Sequence, residues 1–156
     1  MGDFIIAQDR EKDLKLACVR SVKHFVDLAN KKLHQAMPYP AIEFGLRGTT
    51  AGRAWFVNGG RNNKIQFQPD FLYQNAEDFL TQTAGHEVGH LVAHWLNKTT
   101  HIDPHGREWR NVMWTLGLPA TRCHNYDTGI VSGHSQVLRR VSNKGTHNHG
   151  RSIQFD

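Results

Sequence analysis

The segment His86-Glu87-Val88-Gly89-His90 lies within an apolar stretch at residues 79–96. On an α-helix, residues four positions apart share one face a turn apart, so the two imidazoles can reach the same metal ion. Glu87 lies about 100° round the helix from His86. Its carboxylate can therefore sit beside the ion, where a general base for an attacking water belongs. The segment predicts a helix that carries a zinc site.

A third metal ligand has to come from the residues after His90, because catalytic zinc usually takes three protein ligands and one water. The candidates are His94, His101, His105 and Glu108. His94 lies about 12 Å along the helix axis from His86, which is too far for both to bind one ion. We therefore expect His94 to pack in the core or to support the ligands from behind. The longer metzincin pattern, HExxHxxGxxH, is not present.

The residues around His105 predict the start of another helix. Asp103 and Pro104 are typical of an N-cap and of the first helical position. Gly117 is typical of the residue that ends such a helix. Between them, apolar residues recur at the spacing of one helix face, namely Trp109, Val112, Met113 and Leu116. His105 is expected in the first turn, where the helix dipole favours a neutral imidazole. On the residues alone, His101 and Glu108 stay open as alternatives.

Several separated segments resemble the SprT and Spartan (SprT-like) family of zinc metallopeptidases. They are HEVGHLVAHW at residues 86–95, PHGREW at 104–109 and LGLPATRCH at 116–124. Upstream, RGTTAGRAW at 47–55 is similar to the family's RGTxAGxAW segment. IQFQP at 65–69 resembles the family's strand that ends in a polar residue and Pro, although Asn is commoner there than Gln68. The resemblance covers residues 8–128.

The resemblance implies the ligands and the activity. The family's third ligand is the His of a His-Gly pair fifteen positions after the second motif His, which here is His105. The implied enzyme is a zinc-dependent endopeptidase with one zinc per chain, held by His86, His90 and His105, and with Glu87 as its catalytic residue. Spartan-like proteases act on proteins bound or crosslinked to DNA, so protein substrates and DNA are the implied partners. Candidates for a second donor to the oxyanion are Arg122, His124 and Tyr126.

The rest of the pattern predicts a small α+β domain of the zincin-like type. Apolar residues at helical spacing predict one N-terminal helix over residues 8–36. Residues 42–47, 54–58 and 64–68 predict three short strands of a mixed sheet, the last two joined by a hairpin loop. The motif helix and the helix that carries the third ligand complete this domain. Substrate is expected to lie extended along the strand at 64–68 by strand addition.

Two local features of the motif helix lead to further expectations. Asn75 is expected to cap the helix, with Asp78 three residues on approximating a capping box. Gly85 and Gly89 lower the helix propensity, and we expect them to allow a close approach of the sheet.

Composition suits a small intracellular enzyme. The chain has 156 residues, 38% of them hydrophobic, which is enough for a single core. It has no N-terminal apolar run and no apolar stretch of membrane-spanning length, so we expect a cytoplasmic protein with no membrane partner. Its cysteines, Cys18 and Cys123, are expected to stay reduced.

The charge and the C-terminal segment favour a polyanionic partner. The formal net charge is +5, which is typical of proteins that bind nucleic acid. No base-reading motif is present, so binding is expected to be driven by phosphates and sensitive to salt. We expect the domain to occupy residues 1–128 and a basic tail to follow at 129–156, in which 135–140 and 152–155 could pair as a hairpin. The family's four-cysteine zinc ribbon cannot form there, because no cysteine follows Cys123.

An alternative function is a nucleic-acid-binding or regulatory module whose zinc is structural and whose protease activity is weak or absent. Glu87 argues against it, because a structural site has no use for a base. A structural zinc site is also usually closed by four ligands, and the expected set has three.

Overall fold

The computed structural model describes residues 2–121, 124, 126–128 and 152–155. The helices are α1 (Gly2–Leu33), α2 (Pro69–Gln74), α3 (Ala76–Asp78), α4 (Ala84–Leu96) and α5 (Arg107–Thr115). The strands are β1 (Ala41–Glu43), β2 (Gly52–Val57), β3 (Lys64–Phe67) and β4 (Ser152–Phe155). A 3-10 turn at Asn58–Gly60 follows β2, and a π-helical segment at Phe79–Thr83 leads into α4. The α+β class expected from the sequence is confirmed.

The strands form one mixed sheet in the order β1-β3-β2-β4. β1 runs parallel to β3, whereas β2 runs antiparallel to both β3 and β4. The three expected strands are present with different bounds: β1 and β3 are shorter than expected, whereas β2 begins two residues earlier and ends one residue earlier. β4 adds a fourth strand. Because β3 has a strand on each side, its backbone cannot accept a peptide as a further strand. The expectation that substrate pairs with residues 64–68 is therefore wrong.

β4 comes from the segment expected to be a basic tail. It pairs with β2 in a register that runs from Ala54 opposite Phe155 to Val57 opposite Ser152. The proposed hairpin partner at 135–140 lies outside the described residues. The end of the C-terminal segment thus contributes to the sheet.

α1 is longer at its start than expected and ends earlier, at Leu33. His34, directly after it, has a φ of 52°, which a helix cannot continue. The buried face of α1 consists of Cys18, Val22, Phe25, Val26 and Ala29, at the spacing expected for one helix stripe. Cys18 is a free thiol, and burial raises its pKa to about 12. Such a thiol is inert, as expected for a reduced cysteine; Cys123 lies outside the described residues.

α4 is the central helix and packs against α1, α5 and β2. Its glycines make this packing possible, although not in the expected way. A Cβ on Gly85 would collide with Leu118 and lie 3.3 Å from the ring of Phe25. A Cβ on Gly89 would lie 2.6 Å from the Sδ of Met113. Close approach therefore comes from side chains of α1 and of the α5 region rather than from the sheet.

The start of the motif helix differs from the expected capping box. The side-chain amide of Asn75 donates to the carbonyl of Phe71 at 3.1 Å, so it closes the end of α2. It makes no cap bond to α3. The chain instead turns continuously through α3 and the π-helical segment into α4, and the carboxylate of Asp78 accepts a hydrogen bond from Tyr126. The prediction of Asn75 and Asp78 as a capping box is wrong.

α5 begins later than expected, and it ends where it was expected to end. Gly106 is its N-cap, and the amide of Gly106 donates to the carbonyl of Asp103 at 3.0 Å in a turn that precedes the helix. His105 therefore lies in this turn, not in the first helical turn. At the other end, Gly117 has a φ of 73°, and the amide of Leu118 donates to the carbonyl of Met113. This is the glycine-ended C-cap that the sequence indicated.

Candidate metal centre

Three histidine side chains meet where α4 faces the turn before α5. The Nε2 atom of His86 lies 3.1 Å from that of His90 and 3.3 Å from that of His105. Their ligand atoms all lie within 4.8 Å of one another. Two nitrogens bound to one tetrahedral zinc at about 2.05 Å would be roughly 3.3 Å apart. The three imidazoles could therefore hold one metal ion.

The other candidates for the third ligand lie apart from this cluster. His101 is exposed in the loop after α4, and a carboxylate oxygen of Glu108 lies 3.8 Å from the guanidinium of Arg107. Among the described residues, the only group of three or more possible ligands contains neither. His94 packs in the core as expected, with its ring centroid 5.7 Å from that of Phe56. Burial, and to a lesser degree the charge of His101, lowers the pKa of His94 to about 4.

The indole of Trp109 forms the wall behind the three histidines. Its ring centroid lies 4.9 Å from His86, 5.6 Å from His90 and 4.9 Å from His105. Its Nε1 donates to the carbonyl of His86 at 3.4 Å. Trp109 is almost completely buried, and Gly89 leaves the space in which it lies. A rigid ring in this position restricts the rotation of all three imidazoles. The sequence pattern indicated only that Trp109 belongs to the buried stripe of α5.

Glu87 lies at the boundary between the sheet and a large cavity. Its side chain is 2% exposed, yet it lines the cavity together with His86 and His105. The cavity has a volume of about 890 Å³ and is bounded on the other side by residues 49–52. Gly52, the first residue of β2, is the contact point: a Cβ there would lie 2.7 Å from Oε1 of Glu87. Only a glycine fits against this carboxylate, a constraint that no local pattern indicates.

His124 and Tyr126 line the same cavity and are held by hydrogen bonds. The Nδ1 atom of His124 accepts from the amide of Tyr126, so its Nε2 carries the proton and donates to the carbonyl of Thr49 at 2.8 Å. The hydroxyl of Tyr126 donates to Asp78 at 2.7 Å and is 2.8 Å from that of Thr83. Burial is the main reason that the pKa of Tyr126 is raised. To stabilise an oxyanion, His124 and Tyr126 would each have to give up one of these hydrogen bonds. Arg122, the other candidate, lies outside the described residues.

The fold and the site together define a small α+β domain in which three histidines could hold one metal ion beside a buried glutamate. The chain belongs to the SprT-like family, whose family model matches residues 22–125. The resemblance noted in the sequence is thereby confirmed.

Curated proteins of this family are similar to the chain over much of its length. Protein SprT of Pseudomonas aeruginosa (strain LESB58) is 40% identical over 111 residues, which are 70% of this chain and 60% of that protein. The chain thus matches less than two thirds of that relative's length. Protein SprT of Yersinia pseudotuberculosis (serotype IB, strain PB1/+) is 29% identical over 161 residues, 91% of each chain. No solved structure matches the chain.

Within the described part of the chain, no helix is both long and apolar enough to cross a membrane.

Proposed function

We propose that this protein is a zinc-dependent endopeptidase in which His86, His90 and His105 hold the metal and Glu87 is the catalytic base. The observation that carries the proposal is the position of Glu87: a buried carboxylate that lines the same cavity as the histidine cluster. Three ligands leave a coordination position open, whereas a structural zinc site is usually closed by four. This favours the enzyme over a module with a structural zinc.

The donor set fits zinc, because imidazole nitrogens are among its preferred ligands. The Nε2 atom of His86 also lies at the spacing of a tetrahedral site from those of His90 and His105. Zinc bound there would polarise the scissile carbonyl and increase the acidity of an attacking water. Glu87 accepts the proton of that water and then delivers it to the amine leaving group. Cleavage of an unstructured protein such as casein, compared between wild type and Glu87→Gln, tests this assignment.

The proposed substrate path follows residues 49–52, which lead into β2. Among the described residues, the pairing of β4 with β2 ends at Ala54, before residues 49–52, which line the cavity. An extended peptide laid along residues 49–52 would pass Glu87 and the three histidines. This replaces the path along β3 that the sequence suggested.

Gly52→Ala tests the position of the base without changing any proposed ligand. The added Cβ forces the Glu87 carboxylate to move, since three of its side-chain atoms lie within 2.9 Å. We expect cleavage to fall about 10- to 100-fold, because small misplacements of a catalytic group have effects of this size. Metal content should be unchanged. Gly45→Ala is the matched control, since nothing lies within 4 Å of its added Cβ. Equal activity of the two variants would contradict this placement of Glu87.

We further propose that the protein substrates are bound or crosslinked to DNA. The support is the net charge of +5 and the family resemblance. Residues 129–156 contain four cations against one acid, Asp156, and are expected to contribute phosphate contacts. We likewise propose that the protein acts in the cytoplasm.

Charge substitution in the C-terminal segment tests the nucleic-acid proposal. Deletion is unsuitable, because it would remove β4 from the edge of β2. We expect simultaneous substitution of the four cations by Gln to weaken binding to duplex DNA. The salt slope, which is the steepness with which the logarithm of the binding constant falls with the logarithm of the salt concentration, should decrease by up to about 3.6, at about 0.9 per phosphate contact. The residues to change are Arg139, Arg140, Lys144 and Arg151. Titrations at several salt concentrations measure both effects, and an unchanged slope would exclude the segment from the interface.

A further inference from the structure

The outward face of α5 has an unusual composition. Arg107, Arg110, Asn111 and Trp114 are all exposed and recur at i, i+3, i+4 and i+7, so they share one side of the helix. The opposite side carries Trp109 and faces the histidines. Trp114 is 83% exposed, the highest value among the exposed large hydrophobic residues of the described chain. No aliphatic residue belongs to this stripe. We call these four residues the α5 face.

The other tryptophans of the chain are engaged by protein groups. The indole of Trp55 donates to Gln66, that of Trp95 to Gln35 and that of Trp109 to the carbonyl of His86. Trp114 makes no hydrogen bond or ring contact of this kind among the described residues. Its indole therefore offers a flat, open surface to a partner.

Cations lie on the same side of α5 as this indole and at the same end of the helix. The side chain of Arg107 is 82% exposed, and Arg110 is exposed one turn before Trp114. From α1, the ammonium of Lys32 donates to the carbonyl of Thr115 at 3.0 Å, which places it at the same end of α5. The acid next to Arg107 on α5 is Glu108, whose carboxylate lies 3.8 Å from the guanidinium. Two arginines on the same helix face as Trp114, and Lys32 at its end of α5, match the charge of a polyanion.

A cleft adjoins the face and shares two of its residues. It has a volume of about 620 Å³ and lies between the end of α1, the end of α4 and α5. Arg107 and Asn111 line it on one side, and Asn97 and Leu96 on the other. The cleft thus offers amide groups and an apolar wall next to the α5 face, together with the carboxylate of Glu108. Its amide groups can contact the edge of a planar base.

We propose that the α5 face binds single-stranded nucleic acid, with one base stacked on Trp114 and phosphates contacted by Arg107, Arg110 and Lys32. An indole flanked by cations is the arrangement by which proteins bind single strands without reading sequence. Because the stripe has no aliphatic residue, it fits a nucleic acid better than it fits an apolar surface of another protein. The inference rests on the proposed nucleic-acid partner and assigns it a surface separate from the histidine cluster.

The test is binding of a labelled oligothymidylate of about 12 nucleotides, within the usual site size, to the full chain loaded with zinc. Trp114→Ala should weaken binding about 5- to 150-fold, the range that loss of one stacked base produces, without changing the salt slope. Trp114→Phe should recover part of the loss, because a smaller aromatic ring still stacks. Arg107→Gln with Arg110→Gln should lower the slope by about 1.4, at about 0.7 per contact with a single strand.

Lys12→Gln with Arg20→Gln is the matched control, since it removes two exposed cations from α1. Wild-type affinity of Trp114→Ala for the oligonucleotide would overturn the inference. If Trp114→Ala also weakened binding to poly-glutamate, an anionic polypeptide, to the same extent, the α5 face would be a site for an acidic protein. That result would also overturn the inference. Metal content and cleavage of casein without DNA should be the same in all these variants. If the wild type did not cleave casein, the proposed enzyme activity would be contradicted, and the binding results would be unaffected.

Discussion

Glu87→Gln is expected to abolish peptide cleavage while leaving the fold and the metal in place. Gln is nearly the same size as Glu, so it fits beside Gly52, but it cannot accept the proton of the attacking water. General bases contribute about 100- to 10,000-fold to such rates, and we expect a loss in this range. Cleavage rates measured alongside bound zinc and the melting temperature distinguish a chemical loss from a structural one.

Glu108→Gln is the control for this substitution. Glu108 is a nearby carboxylate that faces Arg107 and lies outside the histidine cluster, so its loss should leave the rate within about twofold, as for most surface changes. Turnover by Glu87→Gln equal to that of the wild type would require another base or another mechanism.

His105→Ala is expected to release most of the metal. The wild type should carry about one zinc per chain, and the variant keeps two of three ligands. His101→Ala and Glu108→Ala should retain the metal, because neither residue belongs to the cluster. Elemental analysis of the purified variants measures the stoichiometry directly. Full occupancy in His105→Ala, or loss in His101→Ala, would contradict the ligand assignment.

Local sequence patterns were sufficient where the structure depends on near neighbours. The buried stripe of α5 and its end at Gly117 were predicted correctly, because helix periodicity and a glycine C-cap are both local. The start of α5 was not predicted correctly. Asp103 and Pro104 have the chemistry of a helix start, but the chain makes a separate turn there, and Gly106 becomes the N-cap. This turn brings His105 towards α4.

The order of the strands could not be derived from the same patterns. Alternating residues predict that a strand exists but carry no information on its neighbours. β3 therefore looked available for substrate, whereas it lies inside the sheet between β1 and β2. β4 was expected as half of a hairpin, and its pairing with β2 depends on contacts distant in sequence.

The site was predicted unevenly for a similar reason. His86, Glu87 and His90 share one helical turn, so their spacing alone indicates a common site. His105 required the family resemblance, since the residues alone also allowed His101 and Glu108. Gly52 and Trp109 were missed, because their roles arise from packing against Glu87 and the histidines in three dimensions.

The central claim is that cleavage depends on one zinc ion at the histidine cluster and on Glu87. Its most direct test is to strip the wild type with a chelator and return zinc in steps, following bound metal and casein cleavage together. We predict that cleavage disappears with the metal and returns in proportion to zinc, up to about one ion per chain. Glu87→Gln should bind zinc equally well and stay inactive. Full cleavage by metal-free protein, or by zinc-loaded Glu87→Gln, would contradict the account.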